Sequence, residues 1–268
     1  MEIEGPILLL STGCLFQRSL PEIAEIAAQA GFGGLELIIN DPLMAPGPGM
    51  DAVDAILPVR SLHAPFRGHD RWGGYVESWR AAVALANSLP LAGNVTQHPP
   101  GRSEAGAGRW FARAVDLPLL LDARGRVGLS LENLPWPPDA SPFGRDPLDE
   151  LLDACRSRNL GLTLDVCHLG VSGRDPLRAL DRVPADLLAN VHFSDARGFQ
   201  EHLLPGQGNL PLHGILTRLA ERGYSRYITL EVQPGALPPS SVEAVIRLSE
   251  LREWMEQSLT AGLREAAS

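Results

Sequence analysis

Residues 161–170 read GLTLDVCHLG, and residues 128–135 (GLSLENLP), 190–195 (NVHFSD) and 227–235 (YITLEVQPG) follow the same plan. Each is a short apolar run that closes on a carboxylate, an imidazole or both. Runs of this length are too short for helices and suit buried strands. Working outward, similar runs stand at 7–11, 34–39, 59–63 and 94–98, so that with 128–134, 161–166, 190–194 and 227–232 the chain carries eight. Amphipathic stretches lie between them at 21–30, 75–88, 108–122, 147–158, 176–182 and 211–222, and a last one covers 241–258. Strands alternating with helices imply βαβ units and a parallel sheet. Near-continuous apolar strands point to a sheet covered on both faces. Eight repeats favour closure into one α/β (β/α)8 TIM barrel over an open doubly wound sheet, with residues 1–268 as a single domain.

The punctuation agrees. Gly31, Gly125, Gly161 and Gly223 fall where C-terminal glycine caps belong, and Asp146-Pro147 and Asp175-Pro176 read as an N-cap followed by proline at the first helical position. Stretches 41–50 and 135–145 read as long loops after the second and fifth strands, and 264–268 as a fraying end.

Composition bounds the chemistry. The 268 residues are 44% hydrophobic and carry a net charge of −9, which argues against nucleic acid or an anionic membrane as the main partner. All 23 basic residues are Arg. Without lysine, Schiff-base aldolase chemistry, pyridoxal phosphate attachment and P-loop nucleotide binding are excluded. Cys14, Cys155 and Cys167 suggest neither a disulfide framework nor a zinc knuckle. The opening MEIEGPILLLSTG does not read as a signal peptide, and no run approaches a membrane span, so a cytoplasmic protein is expected.

A barrel keeps its catalytic groups at the carboxyl ends of its strands. Those ends carry His63, His98, Glu132 with Asn133, Asp165 with His168, His192 with Asp195, and Glu231; His202 follows in the loop after the seventh strand. A single strand-end His or Asp is ordinarily a cap or a loop anchor. A Glu inside an apolar run is different, because a buried carboxylate needs a cationic partner. Arg60 is the one arginine inside an expected strand, and it stands at the wrong end. Loop arginines or a metal ion remain. With adjacent strands about 4.8 Å apart, Glu132, Asp165, His192 and Glu231 would converge on one divalent ion: Mn2+, Co2+, Mg2+ or Zn2+.

Nearly the whole chain, from STGCLFQRSLPEIAEIAAQAGFGGLELI to ITLEVQPG, resembles the xylose-isomerase-like barrel superfamily, which includes sugar and sugar phosphate isomerases and epimerases and apurinic-site endonucleases. The resemblance implies one metal on Glu132, Asp165, His192 and Glu231, with His168 as a substrate contact. In the endonuclease branch, His63, His98 and His202 match further zinc ligands, but Gln200 stands where an Asp is expected. Pro138 replaces a carboxylate expected of the epimerases, and Arg197 sits about one residue from their arginine. A homo-oligomer is implied by analogy.

Two mechanisms share this site. In the first, an isomerase or epimerase passes through an enediolate, with Glu132 and Glu231 as base and acid. His168 and His202 contact a small sugar, sugar phosphate or related hydroxy-carbonyl substrate, and Arg197, or Arg67, Arg71 and Arg102, clamps an anionic group. In the second, a phosphodiester hydrolase cuts DNA or a small molecule such as a cobamide, with a second metal on His63, His98 and a bridging Glu132. Trp72, Trp136 and Phe143 are read as the roof of a small-molecule pocket in preference to DNA wedges.

Overall fold

The computed structural model describes residues 5–101, 105–135 and 146–266. Eight parallel strands close into a barrel: β1 (Ile7–Ser11), β2 (Gly34–Ile38), β3 (Val59–His63), β4 (Asn94–Gln97), β5 (Gly128–Glu132), β6 (Gly161–Asp165), β7 (Leu188–Phe193) and β10 (Tyr227–Leu230). β10 pairs with both β1 and β7, which completes the ring. Helices α1 (Leu20–Gln29), α2 (Pro48–Ile56), α3 (Tyr75–Ser88), α4 (Ala105–Arg113), α5 (Leu117–Leu120), α6 (Pro147–Ser157), α7 (Val166–Val171), α8 (Pro176–Arg182), α9 (Leu212–Glu221) and α10 (Ser241–Ala266) connect the strands. An antiparallel hairpin, β8 (Asp195–Arg197) with β9 (Gln200–Leu203), follows β7. No described helix is long and apolar enough to cross a membrane.

The helical start signals act as expected. Asp146 Oδ1 accepts from Leu148 N at 2.9 Å, and Asp175 Oδ1 accepts from Leu177 N and Arg178 N at 3.0 and 3.3 Å. Other expectations are corrected. The stretch 108–122 is two helices, broken at 114–116, because Asp116 caps a new start by accepting from Leu119 N. Stretch 41–50 is not all loop, since α2 begins at Pro48. Gly31 and Gly223 have positive φ behind α1 and α9, but behind α5 and α6 the left-handed residues are Asp122 (φ 59) and Asn159 (φ 57), and Gly125 lies beyond the cap. Gly161 is glycine for a different reason: a Cβ there would lie 2.8 Å from that of Ala189 on the adjoining strand.

The outward faces of the strands, including Leu35, Leu37, Val95, Leu131, Leu164 and Val191, pack under the helices in one apolar core. The inward face is polar, which near-continuous apolar strands did not foretell. Thr163 Oγ1 meets Thr96 Oγ1 at 2.9 Å and Ser130 Oγ at 2.7 Å, while Asn94 Nδ2 donates to Thr96 Oγ1 at 3.0 Å and to Ser61 Oγ at 3.2 Å. Buried hydroxyls and amides are ordinarily paired, and these pair with one another except at Asn94 Oδ1, which has no partner among the described residues. This ladder is the floor on which the strand-end acids stand.

Candidate metal centre

Period-two alternation places Glu132, Asp165 and His192 on the inward face at the ends of β5, β6 and β7, one step above the hydroxyl ladder. Glu231 follows β10 directly. Ligand atoms of these four residues all lie within 4.8 Å of one another. Glu132, Asp165 and His192 are almost wholly buried, whereas the Glu231 side chain retains 21% exposure and so forms the open side of the group.

Glu132 stands among four imidazoles. Its Oε2 lies 2.9 Å from His63 Nε2 and 3.2 Å from His98 Nε2; its Oε1 lies 3.3 Å from both His168 Nδ1 and His192 Nδ1. His63 Nδ1 is 2.8 Å from the Ala64 carbonyl, which can only accept, so Nδ1 carries a proton. The neutral ring would then turn a bare Nε2 toward a carboxylate oxygen, and two lone pairs at that distance require a proton or a cation between them. Among the described residues, then, imidazoles and no arginine face Glu132, either protonated or sharing a cation with it.

Asp165 has two tasks. Oδ1 caps α7 by accepting from His168 N at 2.6 Å, and Oδ2 has no hydrogen-bond partner among the described residues. Asn133 holds this strand end in register: its Nδ2 donates to the Asp165 carbonyl at 2.9 Å, and its Oδ1 accepts from Asp165 N at 2.8 Å. His168 Nδ1 faces the Asn133 carbonyl at 2.8 Å, which leaves Nε2 for another ligand. His202, on β9, has Nδ1 beside Ser194 Oγ at 3.2 Å and the Glu231 carbonyl at 3.3 Å. Two further groups meet the same 4.8 Å criterion: His63, His98 and Glu132, and Asp165, His168 and His202.

Asp195 and Arg197 do not converge on these groups. Asp195 accepts four backbone N–H bonds, from Ala196, Gly206, Gly208 and Leu210, and so anchors the loop beyond the hairpin. Arg197 is exposed and donates to the Gln207 carbonyl at 2.6 Å. Arg71 faces Asp41 at 3.6 Å and stacks over Trp72. Arg102, Trp136, Pro138 and Phe143 lie outside the described residues. Sequence reasoning missed Glu36. It is wholly buried in β2 and lies 2.8 Å from His192 Nε2, and the signal that picked out Glu132, an acid inside an apolar run, was present in GLELI.

The electrostatics are those of a charge cluster awaiting neutralisation. Burial alone would lower the His192 pKa, but Glu36, Glu132 and Glu231 hold it well above its usual value. His168 goes up to about 10 against burial, through Asp165 and Glu132. Burial works to raise Glu132 and Glu231, yet their histidine neighbours win: Glu132 is driven well down and Glu231 to about 2. Burial raises Asp165 and lowers His98. Asp165 Oδ2, Glu231 Oε2 and both nitrogens of His192 are buried without hydrogen bonds among the described residues, although His192 Nδ1 lies only 2.9 Å from Glu231 Oε2. Close approach without hydrogen-bond alignment is how ligand atoms sit around a cation. Three carboxylates and an imidazole suit a divalent metal, and the residues fit one.

A closed ring of eight parallel strands alternating with helices, with acids and imidazoles gathered at the strand ends, defines a (β/α)8 TIM barrel. The chain belongs to the xylose isomerase-like TIM barrel family, whose model matches residues 24–257. It is 30% identical over 131 residues to a putative hydroxypyruvate isomerase of Streptomyces coelicolor, covering 46% of each chain. The structure superposes on an L-ribulose 3-epimerase with TM-score 0.72 and 15% identity, covering 98% of this chain and 97% of the other. It also superposes on endonuclease IV from Thermus thermophilus, with TM-score 0.64 and 22% identity over 94% and 100% of the two chains. Likeness at such identities speaks for the fold alone.

Proposed function

We propose that this chain is a metal-dependent isomerase or epimerase of a small sugar, sugar phosphate or related hydroxy-carbonyl compound. The observation that carries this reading is the order of the ligand arc. Glu132 on β5 and Glu231 after β10 stand at its two ends, with Asp165 and His192 between them. Two carboxylates flanking one point can take a proton from a carbon and return it to the same or the neighbouring carbon. The putative hydroxypyruvate isomerase among the sequence relatives points the same way.

Glu132, Asp165, His192 and Glu231 would hold a divalent ion, which when bound would supply Lewis acidity to adjacent substrate oxygens and so acidify the neighbouring C–H. Glu231, ionised near neutrality and reachable from the mouth, serves as the base. Glu132 is placed to act at the opposite side of the carbon. His168, with Nδ1–H pinned to the Asn133 carbonyl, turns Nε2 toward the substrate, where the neutral ring accepts from a hydroxyl. The test is solvent deuterium exchange. Ketoses and ketose phosphates incubated in D2O with the Mn2+-loaded protein should exchange the C–H beside the carbonyl, and Glu231→Gln should not catalyse that exchange.

One observation favours a second reading. The Oε2 atom that would be free in a single-metal isomerase faces His63 and His98. Those three residues would hold a second ion, with Glu132 as the bridge, as in two-metal phosphodiester hydrolysis. Elemental analysis decides between the readings. One metal per chain supports the isomerase or epimerase; two or more zinc ions per chain transfer the assignment to a hydrolase, to be assayed on abasic DNA and small phosphodiesters.

A further inference from the structure

Glu36 has no place in the ligand set, yet it is as fully enclosed as Asp165. Its side chain is 0% exposed, on the inward face of β2, two residues into the strand. One oxygen is fully used: Oε2 accepts from Ser61 Oγ at 2.6 Å and from Asn190 Nδ2 at 2.7 Å. Asn190 is itself fixed, because its Oδ1 accepts from Thr229 Oγ1 at 3.1 Å. The other oxygen, Oε1, lies 2.8 Å from His192 Nε2 without hydrogen-bond alignment, and neither atom has a hydrogen bond to any other group among the described residues. The opposite nitrogen of that ring, Nδ1, faces Glu132 Oε1, Asp165 Oδ2 and Glu231 Oε2 at 3.3, 3.9 and 2.9 Å. The imidazole is thus a bridge between a buried acceptor on the floor and the proposed metal point above it.

A carboxylate can only accept, so the nitrogen that faces it must carry the proton, and the nitrogen across the ring is then the bare ligand atom. We infer that Glu36 is a positioning residue that selects the Nε2–H tautomer of His192 and so directs the Nδ1 lone pair into the Glu132–Asp165–Glu231 group. Carboxylates behind metal-bound histidines act in this way in general, and removing one costs roughly 10- to 100-fold in metal affinity. Ser61 and Asn190 hold the Glu36 carboxylate still, which extends the hydroxyl ladder of the barrel floor into the ligand set. The inference rests on the metal-centre reading.

Glu36→Gln tests it sharply, because the substitution preserves shape and reverses polarity. With its carbonyl oxygen retained by Ser61 and Asn190, the new amide presents N–H to His192 Nε2, which must then accept. The proton moves to Nδ1, where it points at the ligand group. Binding of Co2+ is followed by its visible absorption, with folding verified by circular dichroism. The expected result is a folded variant whose Co2+ affinity falls roughly 10- to 100-fold. A folded variant that binds Co2+ as tightly as wild type overturns the role of Glu36 and leaves the metal centre standing. Wild-type protein that binds no Co2+ refutes the metal centre and this inference together. Should the variant not fold, 15N spectra of Zn2+-loaded, histidine-labelled wild type decide, with His192 assigned through His192→Asn. A proton on Nε2 supports the inference, and a proton on Nδ1 overturns it.

Discussion

Replacing Asp195 with Ala should destabilise the protein strongly without touching a proposed ligand. The carboxylate is 2% exposed and clasps the loop that follows the hairpin. Oδ1 accepts from Ala196 N at 2.9 Å and Leu210 N at 3.0 Å; Oδ2 accepts from Gly206 N at 3.0 Å and Gly208 N at 2.9 Å. The approach is so close that a Cβ on Gly208 would lie 2.2 Å from Asp195 Oδ1. Each such bond nets about 1 kcal/mol, and the four together about 4 kcal/mol once their donors are left unsatisfied. At about 2 °C per kcal/mol for a chain of this size, the melting temperature should fall by about 8 °C. Asp195→Asn separates the two oxygens: it keeps one pair of acceptor contacts and sets an amide against the other pair of N–H donors, so it should lose at least half as much. Scanning calorimetry gives the shift, and hydrogen exchange at the amides of 206, 208 and 210 localises it. A loss under about 1 kcal/mol for the Ala variant, or a wild-type melting temperature for the Asn variant, would refute the clasp.

Other expectations follow from the same coordinates. Glu231→Gln should lower turnover on the order of 100- to 10,000-fold with the fold unchanged; full activity in that variant would sink the assignment of the base. Stripping the metal with a chelator should lower the melting temperature. An ion present at 100 times its dissociation constant contributes about 2.7 kcal/mol, so a melting temperature that ignores both chelator and added Mn2+ would count against the centre. For the metal-free protein, the folded-state pKa of His168, about 10, lies above the ordinary histidine value of 6.5. The stability this group contributes is therefore complete below about 6.5 and lost as pH rises toward 10. Thermal melts of chelated protein should show an alkaline decline that is shallower in His168→Asn, and parallel declines would contradict the assignment. Gly161→Val should destabilise by about 1–3 kcal/mol, since even its Cβ would overlap Ala189; chemical denaturation measures this, and a neutral result would show that the strand start can shift.

The barrel was legible because its strands and helices differ in period and its turns are marked by glycine, proline and capping acids. Asp146 and Asp175 cap the helices where the dipeptides Asp-Pro announced them. What escaped were features that a linear reading treats as neutral. The Thr, Ser and Asn residues inside the strands look like tolerated polar substitutions, and only the pairing and curvature of β4, β5 and β6 turn Thr96, Ser130 and Thr163 into hydrogen-bonded neighbours. Gln200–Leu203 offered no apolar alternation to mark a strand, because its residues are polar at the first three positions and only half-buried or exposed. Arg197 was chosen by its spacing, and the hairpin carries it outward to a loop carbonyl.

Glu36 marks the more useful limit. The rule that singled out Glu132, that a buried acid within an apolar run requires a cationic partner, applies equally to the Glu of GLELI. Glu36 is not marked by a strand end, because it stands one layer deeper, two positions before the end of β2. Its partner lies 156 positions away in sequence, at His192, and the two meet only because the barrel brings the inward faces of β2 and β7 together across its axis. In a closed barrel, then, the depth of an acid along its strand separates two roles. An acid at the rim can face a metal and substrate, whereas an acid one layer down can reach the ligands only from behind. Glu132 and Glu36 stand on either side of that line, and His192 contacts both.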